Sequence, residues 1–357
     1  MISRGNGDSR ERSRRSVLLA GAAMLVVPAL LVSHDVGAQA LEKKKVTLAV
    51  GGKNLLYYLP LTVAEQKGFF KDEGLDVEIV DFAGGARALQ AVVGGSADVV
   101  SGAFEHNINM QAKGQPMRAF VLQGLAPQIV LAVNTKTMPN FKSVADLKGK
   151  KIGVTAPGSS TNVMSNFVLA KSGLKPTDVS YVGVGASQGA VAALRSGQID
   201  AISNLDPVMT ILARSNDIKI ISDTRDVAEA ERVFGGPMPA ATLYAPVAFI
   251  DKNPNTVQAL TNAIVRANKW IQQAGPSDIV KTVPESYLLG DRAVYIEAFL
   301  KAKPALSPDG MIPEQGPATA LRALSSVDPA MTKAKIDLKS VYTNDFVKKA
   351  NAKYPKG

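Results

Sequence analysis

Two stretches of the chain are copies of one another. VEIVDFAGGARALQAVVGGSADVVSG at 77–102 lies over VSYVGVGASQGAVAALRSGQIDAISN at 179–204 at a constant offset of 102, without a gap. Val77, Val80, Ala88, Ala91, Gly95, Asp98 and Ser101 meet Val179, Val182, Ala190, Ala193, Gly197, Asp200 and Ser203. In both copies a β-branched run, a glycine-bearing turn, an alanine-rich helical run and a second apolar run follow one another. That order predicts strand, loop, helix and strand twice over, and hence two similar α/β lobes. Two copies of so long a period do not make a solenoid.

The flanking segments extend the alternation. Strands are expected at 46–50, 119–122, 129–133 and 152–155, and helices at 59–67, 107–113, 162–171 and 208–213. The C-terminal third does not repeat, and 256–274 reads as a long amphipathic helix. The expected division is lobe 1 at 41–135 and 245–357, and lobe 2 at 136–244. The lobes are then joined by two crossings near 133–140 and 238–246, with 241–244 a strand passing between them.

Residues 1–40 read as a removable export signal. Arg4, Arg10, Arg12, Arg14 and Arg15 precede an apolar run at 17–32, which ends near Ala38-Gln39-Ala40. The run is shorter than the roughly 20 residues that span a bilayer. Ser13-Arg14-Arg15-Ser16-Val17-Leu18-Leu19 resembles a twin-arginine signal, with the general secretory route as the alternative. The expected location is the periplasm.

The chain has no cysteine and two histidines, His34 and His106. Loss of the signal leaves His106 alone. Thiolate chemistry is excluded, and a His-rich catalytic metal site or a Ser-His-Asp triad has little to draw on. No G-x-S-x-G, Walker or H-E-x-x-H pattern occurs. The expectation is a chain that is not an enzyme, with no cofactor and no metal. The net charge of +10 is scattered along the chain. It predicts no nucleic-acid partner.

In open α/β sheets ligands bind beyond the carboxyl ends of the strands. The repeat identifies those loops in both lobes. In lobe 1 they hold Asn54, Tyr57 and Tyr58, then Gly84 and Gly85, then Phe104, Glu105 and His106. In lobe 2 they hold Gly158, Ser159, Ser160, Thr161 and Asn162, then Ser187, then Asn204 and Asp206. Tyr244 comes from the strand between lobes. The Gly158–Asn162 turn opens a helix whose free N–H groups suit an anion; Ser159 or Ser160 equally suits its cap. Gly84-Gly85 suits either a tight turn or a close backbone approach. Glu105 accepts from an amine or hydroxyl, and Phe104 offers a stacking face. One of Tyr57 and Tyr58 is expected to face the cleft. Asp206-Pro207 reads either as ligand contact or as a helix start. Arg87 reads as a surface residue of a first turn.

The runs YYLPLTVAEQKGFFKDEGLDVEIV, GSADVVSG and GSSTN, with the Asp-Pro after AISN, resemble the nitrate/sulfonate/taurine family of ABC-transporter substrate-binding proteins. These are grouped with binders of thiamine pyrimidine precursors. The resemblance implies a two-lobe periplasmic-binding-protein fold of the second type, with the ligand cleft between the lobes and a two-crossing hinge. It implies that Gly158, Ser159 and Ser160 meet an anionic head group. The family often has Ala-His where Thr161-Asn162 stand, and an aromatic residue where Leu205 stands. The implied activity is capture of a small organic anion or zwitterion by lobe closure, and its delivery to an inner-membrane permease with its ATPase. The protein is expected to act as a monomer. The alternatives are a ligand sensor reporting to a membrane receptor and a binder of a thiamine pyrimidine precursor.

Overall fold

Runs of apolar residues too short for helices, each broken by glycine or a polar turn, become the strands. The computed structural model describes residues 40–356. The export signal expected at 1–40 thus lies, but for Ala40, outside the described residues. The strands are β1 (Lys45–Val50), β2 (Asp76–Asp81), β3 (Val99–Ala103), β4 (Met117–Leu122), β5 (Val130–Asn134), β6 (Lys151–Val154), β7 (Ser180–Gly183), β8 (Ala201–Asn204), β9 (Ile218–Asp223) and β10 (Ala241–Pro246). They form two five-stranded sheets, β2-β1-β3-β10-β4 and β7-β6-β8-β5-β9.

The two orders are equivalent. In each sheet the three strands around the repeat pair in parallel, as β1 does with β2 and β3, and β6 with β7 and β8. In each, one antiparallel strand sits between two others: β10 between β3 and β4, and β5 between β8 and β9. β3, β5 and β8 are buried at every residue. Strands covered on both faces read as continuous apolar runs rather than alternating ones. The repeated aspartates play one role twice. An Asp98 carboxylate oxygen accepts from Thr47 N–H at 2.9 Å, and one of Asp200 accepts from Lys151 N–H at 3.0 Å. Each fixes the start of the neighbouring strand.

Sheet membership corrects the expected boundaries. The 129–133 run, expected in lobe 1, forms β5 and belongs to the second sheet. The 241–244 run, expected to pass between lobes, forms β10 and lies inside the first sheet. The crossings are therefore the segments between Leu122 and Val130 and between Asp223 and Ala241. They bond to each other where they meet. Gln128 N–H donates to Thr224 O, and Ile129 N–H to Thr224 Oγ1, both at 3.0 Å. Gln128 holds a φ of 58° there.

The long helix Pro254–Gln273 buries Val257, Leu260, Ile264, Ala267 and Ile271. The end of the chain is held against it by the buried side chain of Glu73. Glu73 accepts from Asn262 Nδ2 at 2.7 Å, from Lys353 Nζ at 3.0 Å and from the Tyr354 hydroxyl. Arg266 stacks between the rings of Phe69 and Tyr354. No helix among the described residues is long and apolar enough to cross a membrane.

Candidate functional site

The loops at the carboxyl ends of both sheets meet. Asn54 Nδ2 donates to Ala186 O at 2.9 Å, Leu56 N–H to Asp206 O at 3.1 Å and Gln188 Nε2 to Leu289 O at 2.9 Å. Ala86 N–H, in the first turn of the helix Gly85–Val93, donates to Ser159 Oγ at 3.0 Å. Ser159 is buried. It serves the first turn of the helix on the opposite sheet, and its side chain makes no cap on its own helix. Gly84 makes that approach possible. It has φ +96°, and a Cβ there would stand 2.8 Å from Ala156 Cβ and 3.0 Å from Ser159 Oγ.

Between the two sides is a partly open cavity of about 20 Å³, roughly the room of one water. Tyr57, Glu105 and Ser160 are polar members of its lining. Pro127, Ile129, Val163, Met164, Phe234 and Met238 line most of the rest. No lysine or arginine among the described residues lines it.

Glu105 and His106 open the helix Glu105–Ala112, and both are buried, at 3% and 2% exposure. Burial pushes the Glu105 carboxyl up from its ordinary 4.5 to about 7. Its own backbone N–H pulls the other way, and no side chain among the described residues donates to it. Burial pushes His106 down from 6.5 to about 4, and the Gly158 carbonyl facing the ring opposes that. His106 Nδ1 shares a hydrogen bond of 2.9 Å with the Tyr244 hydroxyl, while buried Nε2 makes no hydrogen bond of good geometry among the described residues. Tyr58 packs edge-on to Tyr57 at 4.8 Å. A Cβ on Gly85 would stand 3.4 Å from the His106 ring and 3.9 Å from the Tyr58 hydroxyl.

The structure thus gathers Tyr57, Tyr58, Gly84, Gly85, Glu105, His106, Ser159, Ser160 and Tyr244 about the meeting of the sheets. Other expected residues turn elsewhere. Phe104 is fully buried, edge-on to Tyr342 in the first core, and so does not line the cavity. Thr161 Oγ1 bonds Thr155 Oγ1 at 2.9 Å inside the second lobe. The Gly158 N–H, expected free for an anion, donates to Asn162 Oδ1 at 2.9 Å. Ser187 is exposed. Asn204 ties its own loop, donating to Gly185 O and accepting from Leu205 N–H. Asp206 accepts from Thr210 N–H at 2.9 Å and pairs with Arg225 at 3.2 Å. Arg87 is exposed, as expected, and reaches Gln90. Sequence reasoning missed Arg225 and the apolar lining, because neither carries a local pattern that separates it from surface or core.

Glu105 and His106 make opposite contributions to stability against pH. Between about pH 4.5 and 7 the unfolded chain has lost the Glu105 proton and the folded chain keeps it, so stability falls as pH rises. Between about pH 4 and 6.5 the unfolded chain binds a His106 proton that the folded chain lacks, so stability rises with pH. The two windows overlap and offset each other. In a His106→Gln variant the Glu105 contribution stands alone, and stability should drop by about 3 kcal/mol from pH 4.5 to 7 relative to wild type. Urea unfolding at stepped pH reads this directly; parallel curves for the two proteins would refute it.

A family model described as NMT1/THI5 like matches residues 56–276. A solved protein from Bordetella bronchiseptica RB50 is 65% identical, with a TM-score of 0.88 over 89% of this chain and 100% of that one. The alkanesulfonate-binding protein SsuA from Xanthomonas axonopodis pv. citri, bound to MOPS, is 20% identical, with a TM-score of 0.65 over 85% of this chain and 100% of its own. The 4-amino-5-hydroxymethyl-2-methylpyrimidine phosphate synthase THI13 of Saccharomyces cerevisiae is 23% identical over 237 residues, 64% of this chain and 67% of that one. The paired sheets with two crossings are the periplasmic-binding-protein fold. With the family model spanning more than half of its length, the chain belongs to the NMT1/THI5-like family.

Proposed function

We propose that the protein is the extracytoplasmic solute-binding component of an ABC importer. It captures a small ligand between its lobes and delivers it to an inner-membrane permease with its ATPase, acting as a periplasmic monomer without a nucleic-acid partner. The ligand carries an amino group. The observation behind this is Glu105, a buried carboxylate to which no side chain among the described residues donates, in a cavity lined by residues from the loops of both sheets. A buried charge without a partner is costly, and a ligand ammonium or amino group supplies the missing partner. Ser160, from a loop of the other sheet, offers a hydroxyl to an acceptor or anionic group. A zwitterion such as taurine satisfies both ends. A bare anion such as nitrate leaves Glu105 opposed to it, and no lysine or arginine in the lining offsets that.

The cavity is smaller than such a ligand. The lobes therefore close less far around it, and direct bonds such as Ala86 to Ser159 give way to ligand contacts. Hinge closure of this kind needs only a few kcal/mol of differential affinity between open and closed states.

The likeness to the yeast pyrimidine phosphate synthase favours a second ligand reading, an aminopyrimidine whose amino group meets Glu105. Thermal shift and calorimetry with taurine, ethanesulfonate, 4-aminopyrimidine, pyrimidine and nitrate separate the cases, on protein refolded free of carried-over ligand. The amino-bearing member of each pair should raise the midpoint, and its amine-free counterpart should not. Equal binding within pairs, or binding of nitrate alone, would overturn the role given to Glu105. Mass spectrometry of the released ligand distinguishes delivery, which leaves it unchanged, from catalysis.

A further inference from the structure

The lining of the cavity mixes two chemistries. Tyr57, Glu105 and Ser160 are its polar members, and Met164, Phe234, Met238 and Ile129 give it an apolar wall. Met164, Met238 and Ile129 are buried almost completely. They belong to the main apolar core, where Phe234 stacks on Phe167 at 4.9 Å. They also line the same cavity as Glu105, an ionisable group to which no side chain among the described residues donates. A ligand whose head reaches Glu105 and Ser160 must present its remaining atoms to this wall.

We propose that the wall is a subsite for the apolar body of the ligand, so that the captured molecule is an amphipathic zwitterion with an alkyl, thioether or aryl group against Met164, Met238 and Phe234. This assignment rests on the reading of Glu105 given above. Methionine is unbranched and polarisable, so two of them shape themselves to bodies of differing outline. The wall also has a mechanical position. Ile129 lies at the end of the outgoing crossing, and Phe234 and Met238 lie on the returning one. An apolar body seated there touches the segments about which the lobes turn. Its contacts to both crossings and to Met164 of the second lobe are complete only on closure, and such differential contact is what shifts an open–closed equilibrium.

The test is a series with one zwitterionic head and a growing body: glycine, alanine, 2-aminobutyrate, norvaline and norleucine, measured by calorimetry at constant pH. Affinity should rise about fourfold per methylene, from about 0.8 kcal/mol per buried CH₂, until the wall is filled. Met164→Ala should move the optimum to a longer body, with its thermal midpoint reporting that it folds. Wild-type affinities that stay flat along the series, while Glu105→Gln still abolishes binding, would overturn the subsite and leave the Glu105 reading intact. Binding of 4-aminopyrimidine with no member of the series would overturn the zwitterionic head, and the assignment with it. If no amino-bearing probe binds, the Glu105 reading itself fails.

Discussion

Glu105→Gln should raise the thermal midpoint while abolishing ligand binding. The carboxylate is buried and its proton is held up to about pH 7, which measures how poorly its surroundings accept the charge. Near pH 7.5 most folded molecules carry that charge, offset only by its own backbone N–H. An amide of the same shape removes it and should stabilise the fold by up to about 3 kcal/mol, since each pH unit by which the proton is held corresponds to roughly 1.4 kcal/mol. Binding should respond in the opposite sense. Losing one partner of a desolvated charge pair costs about 2–5 kcal/mol, or roughly thirtyfold to several thousandfold in Kd. A gain in stability with a loss of function is the signature of a group kept for its ligand. Calorimetry with the amino-bearing probe, beside a melting curve, gives both numbers. Affinity retained within threefold would remove Glu105 from the site, and an unchanged midpoint would mean that the charge is satisfied in the free protein.

Arg225→Met should destabilise the protein by about 3–5 kcal/mol, the usual consequence of stranding a buried charge. Arg225 lies on the returning crossing, with its side chain 9% exposed. Its Nε donates to both Asp223 oxygens, at 2.9 and 3.1 Å, and its Nη1 to Asp206 Oδ2 at 3.2 Å. Asp206 is buried, so removing the guanidinium leaves its charge without a cation. The Asp206 carbonyl receives the Leu56 N–H from the other sheet, so the loss should reach the contact between lobes. Lysine should not rescue, because one ammonium cannot span two carboxylates as the planar fork does. Adding Asp206→Asn to Arg225→Met should restore part of the loss. Urea titrations of the single and double variants decide it. A single-variant cost below about 1 kcal/mol, or no recovery in the double, would refute the account.

The repeat by itself determined a great deal. The parallel strands, the helices after them and the matching glycines and aspartates are local in sequence, and each copy carries its own pattern. What the repeat could not determine was which sheet receives β5 and which receives β10. Both are strongly apolar runs, and either sheet could bury either one; the choice depends on the docking of segments far apart in the chain. The site divides in the same way. The strand-end loops were legible because connectivity dictates where they lie. The duties of single side chains within them were not. Ser159 reads locally as the cap of its own helix and instead serves the helix facing it. Phe104 reads as a stacking face and instead fills a core. Arg225 has no motif at all, because its two carboxylates come from β9 and from the loop after β8. Met164, Met238 and Phe234 follow apolar patterns that any core residue would share. Periodicity reports that a residue is buried. Only the docking of the two sheets decides whether it is buried against its own lobe or against the space that the lobes enclose, because that depends on contacts no local pattern encodes.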